Sequence, residues 1–189
     1  DKTPKDMYQY DAFYDLCDLM FEIAYKYKDD IQIAFKPHPL LKTKLYRYWG
    51  EKTTEEYYQR WDTIENGQLE TGEFIDLFLT SDAMILDSIS FIAEYSATKK
   101  PSLFTVGSHS RPMYNSFGQE LYEMMYHASA KENLYKQLSD FIENVVIMGN
   151  DILYEQRASF VNKYIAPPNN KTAAENVFDE ICSYVDKNP

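Results

Sequence analysis

Glycine and cysteine are both scarce in this chain, with six and two among 189 residues. The six glycines form no GxGxxG and no GxxxxGK[ST], and no serine sits in a GxSxG. A dinucleotide-binding Rossmann dehydrogenase, a P-loop kinase and a serine hydrolase therefore all lose their signature loops. Cys17 and Cys182 lie far apart inside helical patterns with no CxxC, so they read as buried, reduced thiols of a cytoplasmic protein rather than a disulfide framework. No two of the three histidines have metal-ligand spacing. No apolar run approaches the ~18 residues that span a bilayer. Basic residues are in deficit, 19 against 30 acidic, for a net charge of −11. Sequence-independent nucleic-acid binding needs clustered Lys and Arg, so nucleic acid is not an expected partner, and anchoring to anionic lipid is disfavoured for the same reason. The acidity otherwise serves solubility.

Aromatic residues, by contrast, are plentiful: seventeen tyrosines and eleven phenylalanines, within a 44% hydrophobic composition, predict a thick core. The first ten residues, DKTPKDMYQY, are polar and lack both a signal-peptide pattern and an initiator Met. The chain is accordingly read as one domain over 1–189, part of something longer.

Apolar residues at helical spacing (Phe13, Leu16, Cys17, Met20, Ile23, Ala24, Tyr27) predict a helix over 11–28. A buried strand follows over 31–35. It ends in Lys36-Pro37-His38-Pro39, where two prolines forbid continuation as strand or helix. Helices are expected at 41–48, 53–64 (Thr53 and Glu56 in capping-box register) and 72–80, with a turn at Asn66-Gly67. A second strand is expected at 83–86, a helix at 90–98, a turn at 99–101 and a third strand at 102–106. Beyond a polar loop over 107–116 the pattern is helical at 117–128, 131–147 (Ser129 and Glu132 as a second capping box), 151–164 and, after Pro167-Pro168, 172–185. Strands alternating with helices predict an α/β fold: a Rossmann-like parallel sheet with right-handed crossovers, flanked by helices and followed by a helical extension.

Ligands of open α/β sheets bind beyond the strands' carboxyl ends. His38 sits at such an end. It is either a phosphate ligand or proton-transfer group, or a histidine that hydrogen-bonds its own loop. Lys36 offers a positive charge there, or is solvated. Asp87-Ser88-Ile89-Ser90 joins the second strand to a helix start, where amide groups and hydroxyls favour an anion; N-capping alone also accounts for them. Glu94, one turn after Ser90, suits a sugar or glycerol hydroxyl, or plain solvent. His109 and Arg111 lie in the loop after the third strand, where Arg111 suits bidentate phosphate binding. Asn115, Ser116 and Gly118 line the same crevice or form a cap, and His127 reads as a structural residue within a helix.

KPHPLL at 36–41, then FIDLFLTSDAMILDSISFIAEYSATKKPSLF at 74–104, resembles the CDP-glycerol glycerophosphotransferase family, whose pattern pairs a K-x-H-P with a later D-Y-S-S and K-P. The likeness covers about residues 12–106. It departs at Ser88 and Ile89, which stand where the family has tyrosine and serine. The resemblance implies the C-terminal half of a GT-B fold and transfer of glycerophosphate from a CDP-linked donor to a lipid-linked, teichoic-acid-like or capsular polymer of the cell envelope. No cofactor is implied. It further implies a missing N-terminal domain carrying the catalytic base, and work at the inner face of the membrane. His38 then matches the family's histidine, Asp87 and Ser90 its aspartate and second serine, and Glu94 a usual acidic position. Lys36, Ser88 and Arg111 complete the candidate donor-phosphate set. A nucleotide-sugar glycosyltransferase of the same fold, a non-catalytic docking module and a phosphate-binding regulatory domain are the competing expectations.

Overall fold

A computed structural model of the chain describes residues 11–88, 91–109 and 113–188. Among the described residues, five short strands, all paired in parallel, alternate with helices. β1 (Ile33–Phe35) pairs with β2 (Gly67–Leu69), with Ile33 opposite Gly67. β3 (Met84–Leu86), β4 (Ser102–Val106) and β5 (Tyr126–Ser129) form a second sheet in that order, with Met84 opposite Ser102 and Leu103 opposite Tyr126. The helices are α1 (Asp11–Leu16), α2 (Leu19–Lys26), α3 (Leu41–Trp49), α4 (Glu51–Thr63), α5 (Ile75–Thr80), α6 (Ile92–Ser96), α7 (Ser116–Glu123), α8 (Leu134–Asp140), α9 (Tyr154–Tyr164) and α10 (Ala173–Lys187). α8 runs on into a π-helical stretch, Phe141–Ile147.

Side-chain alternation along β4 explains the layering. Leu103 points into a core with Ile23 and Tyr27 of α2, Leu134 and Leu138 of α8, and Phe141, Ile142 and Val145. Phe104, one residue on, points into a second core with Ile92, Leu121, Met124, Met125 and Phe160. Successive strand residues face opposite sides, so β4 is covered on both faces, as a central parallel strand requires. Ile33 of β1 and Ile85 of β3 pack against the first core, which links the two sheets. A third cluster, rich in aromatics, covers β1 and β2. Phe13, Leu41, Leu45 and Tyr58 are buried there, Trp61 stacks between Phe35 and Phe21 at 5.4 and 4.4 Å, and the Arg60 guanidinium lies 3.7 Å from the Phe21 ring centre.

The Rossmann-like α/β architecture with a helical C-terminal extension is the one expected; several elements differ. The helix expected over 11–28 breaks at Cys17-Asp18, where the Asp18 carbonyl takes the N–H of Phe21 and Glu22 to start α2. α4 begins at Glu51 rather than 53, after Gly50 at φ 79°, and the Thr54 hydroxyl bonds the Gly50 carbonyl. α8 is capped not by Ser129 but by Asn133, whose side chain accepts the Lys136 N–H, while Gln137 pairs with both backbone groups of Ser129. The capping box at Thr172 and Glu175 is formed as expected. Cys17 is buried, but Cys182 is exposed, because no residue of α10 is buried. α10 presents Val177, Phe178, Ile181, Tyr184 and Val185 to solvent.

Two side chains lock the fold at depth. Arg157 is fully buried on α9; it donates Nε to the Lys99 carbonyl at 3.1 Å and pairs through a terminal nitrogen with Asp151, which also accepts the Tyr126 hydroxyl at 3.0 Å. Asn66 donates its amide to the carbonyls of Ala24 and Ile31, 3.0 Å each, joining the end of α2 to the start of β2.

Candidate functional site at the carboxyl edge

Each strand's carboxyl end is set by backbone geometry. The two prolines around His38 stop β1, and the His38 carbonyl then accepts the Leu41 N–H as α3 begins. His38 is exposed, and its Nδ1 accepts the Leu40 N–H at 3.1 Å. That bond places the neutral ring's proton on Nε2. Lys36 donates Nζ to the Gly72 carbonyl at 2.6 Å. One of its three donors is thereby spent on tying the proline loop to the segment after β2. The Glu70 carboxylate holds the Gly72 N–H, and the Glu70 N–H in turn bonds the Phe35 carbonyl, so this loop pair is cross-braced.

Asp87 and Ser88 follow the last residue of β3; Asp87 is half-buried and Ser88 exposed. The buried Thr105 hydroxyl bonds the Leu86 carbonyl at 2.9 Å and fixes the strand end from which they leave. Ile89, Ser90 and Arg111 lie outside the described residues. α6 starts at Ile92, later than expected, with Phe91 at its cap position and no side-chain cap. At five residues it brings little dipole to an anion at this strand end. Glu94 is exposed in its first turn. Lys100, the lysine of the family-like K-P pair, donates to the carbonyls of Phe78 and Leu79 and closes the last turn of α5; its role is structural.

α1 relates these separate ends to one another. Phe13 stacks on Phe35, the last residue of β1, with ring centres 6.5 Å apart. Two residues later, the Asp15 carboxylate accepts the backbone N–H of Ser108 at 3.0 Å and its hydroxyl at 3.1 Å, just past β4. One turn of helix therefore touches the carboxyl ends of strands from both sheets, and β3 is parallel to β4. Lys36, His38, Asp87, Ser88 and His109 all leave the same edge. Asp15 carried no signal in the sequence: it falls on the polar side of an amphipathic helix. His127 is on β5, not in a helix, and stacks on Tyr122 with ring centres 4.0 Å apart. Asn115 caps α7 by accepting the Gly118 N–H at 2.9 Å, which accounts for Asn115 and Gly118 as structure.

Parallel strands with helices on both faces define a Rossmann-like α/β fold, the class whose ligands meet the strands' carboxyl ends. The chain matches the family model of CDP-glycerol:poly(glycerophosphate) glycerophosphotransferase over residues 4–183, and it belongs to that family of transferases. No curated protein and no solved structure matches the chain. No helix among the described residues is long and apolar enough to cross a membrane.

Proposed function

We propose that this chain is the donor-binding half of a GT-B enzyme that transfers glycerophosphate from CDP-glycerol to a growing poly(glycerophosphate) of the cell envelope, a teichoic-acid or capsular type of polymer. The match to the family over nearly the whole chain carries this reading. An acceptor hydroxyl attacks the donor's β-phosphorus, the new P–O bond forms as the bond to the bridging oxygen breaks, and CMP leaves. Such transfer rests on positioning and charge neutralisation more than on covalent help from the protein. His38 presents Nε2–H to a phosphate oxygen, a role supported by the Leu40 N–H that occupies Nδ1. Lys36 and Arg111 add positive charge, Asp87, Ser88 and Ser90 form the cradle after β3, and Glu94 receives the hydroxyls of ribose or glycerol.

The catalytic base belongs to a second, N-terminal α/β half. The uncovered apolar stripe of α10 supports this part of the reading, because five large apolar side chains on one helix ordinarily meet a partner. The lipid-linked acceptor places the enzyme at the cytoplasmic face of the membrane. Residues 1–189 alone should bind CDP in a calorimetric titration and should not turn over CDP-glycerol with acceptor. Turnover by this chain alone would refute the assignment of the base, and absence of CDP affinity would refute the donor-binding role.

A further inference from the structure

We infer that Asp15 is a positioning residue, which holds the loop after β4 in register with the His38 loop; this rests on the donor-phosphate reading of the carboxyl edge. β1–β2 and β3–β4–β5 are separate sheets, so among the described residues no strand ladder fixes the distance between the end of β1 and the end of β4. α1 supplies that link. Phe13, buried in the aromatic cluster, packs on Phe35 immediately before the Lys36–Pro39 loop. Asp15, on the same helical turn, grips Ser108 through both of its carboxylate oxygens, taking the backbone N–H and the hydroxyl. A carboxylate accepting two bonds from one residue fixes orientation as well as distance. Both partners are half-buried. His109 is the next residue, so its placement follows that of Ser108. The six-residue α1 thus acts as a crossbar between two loops that share no backbone hydrogen bond among those of the ladders.

A diphosphate has to be met from two loops at once, and a shift of about 1 Å in one of them lowers the complementarity on which binding and transfer depend. Both Asp15 carboxylate oxygens are engaged by Ser108. Asp15 acts through Ser108.

The test uses the full chain, isotopically labelled, as wild type and as Asp15→Ala, Asp15→Asn and Tyr126→Phe. Asn keeps an acceptor for the Ser108 N–H and an amide donor for its hydroxyl, so it should restore what Ala loses. Tyr126→Phe removes the bond to Asp151 and serves as a variant that costs stability away from the edge. Imidazole resonances are read first, without ligand. Asp15→Ala should move the His109 signals and leave those of His127 in place, and Asp15→Asn should return them towards wild type. CDP titration follows: Asp15→Ala should weaken affinity about tenfold, with Asp15→Asn and Tyr126→Phe within about twofold of wild type. Unmoved His109 signals in Asp15→Ala overturn the inference. So does a CDP affinity that is unchanged although the signals move, or one that Tyr126→Phe weakens equally. If the wild-type chain itself does not bind CDP, the donor-phosphate reading fails, and the inference falls with it for that separate reason, with the ligand-free signals still showing whether Asp15 orders the loop.

Discussion

Lys36 and Gly72 are joined by a 2.6 Å hydrogen bond from ammonium to carbonyl, across two loops that leave neighbouring strands. The lysine both braces the edge and keeps two donors for other oxygens. Lys36→Met keeps the apolar stem and removes the charge. It should weaken CDP binding about tenfold, or ~1.4 kcal/mol, and lower unfolding free energy by only about 1 kcal/mol. Calorimetry and urea titration on the same preparation separate the two effects. Equal CDP affinity in both proteins would show that the lysine is a brace alone.

Arg157 carries a fully buried charge, and its counterion Asp151 is only 16% exposed. Breaking such a pair leaves a buried group uncompensated. Arg157→Ala should therefore cost about 3–5 kcal/mol, whereas Lys136→Ala, which removes an exposed pair with Asp140, should cost less than about 1 kcal/mol. Urea midpoints compare the two directly.

Asn66 donates to two carbonyls at once while 8% exposed. Asn66→Ala orphans both acceptors and should cost roughly 2–3 kcal/mol. Asn66→Asp should cost more, because a carboxylate placed against two carbonyl oxygens has no proton to give them. The order of the two melting temperatures checks this.

Alkaline pH should unfold the protein through its aromatic cluster. Burial pushes the Cys17 thiol up to about 11, from an ordinary value of 9.0, and also raises the Tyr57 and Tyr58 phenols. In each case the folded state favours the protonated form. The unfolded chain releases these protons first, so stability is full below about pH 9 and is lost progressively as pH rises through 11 and beyond. Cys17 alone accounts for roughly 2 kcal/mol of that loss. Melting temperature followed from neutral to alkaline pH, with tyrosinate absorbance as a second probe, should fall over that window. A flat profile up to pH 11 would contradict the burial of these groups.

Much of the architecture was legible because strongly patterned segments and stiff breakers act locally. The two prolines ended β1 where expected, and Thr172 with Glu175 opened α10 as a capping box. Two strands were missed for identifiable reasons. The turn expected at Asn66-Gly67 is formed, closed by the Gly67 N–H on the Ile64 carbonyl at 3.1 Å, but Gly67 also opens β2, which the turn signal hides. A Cβ there would sit 2.3 Å from Ile64 Cγ1 and 2.7 Å from the Trp61 carbonyl, so the glycine also serves close packing at the strand's start. Leu121, Met124, Met125 and Ala128 fall at i, i+3, i+4 and i+7 and are all buried. That spacing is helical, but α7 ends at Glu123 and β5 starts at Tyr126, so two elements in succession bury the same series of positions.

The candidate site was legible only in part. His38, Lys36, Asp87 and Ser88 announced themselves through the breaker residues and short polar runs around them. Asp15 did not, because its partner, Ser108, is 93 residues away and the contact exists only once α1 lies across the strand ends. Conversely, Lys100 carried a family-like signal and proved to cap α5.

Donor binding as proposed requires the His38 loop and the residues after β3 to meet one diphosphate. Titration of the isotopically labelled chain with CDP, following the His38 imidazole together with the amides of Asp87 and Ser88, tests it most directly. All three should move along one binding curve while the amides of α10 stay fixed. Movement of His38 without Asp87 and Ser88, or of neither group at saturating CDP, would contradict it.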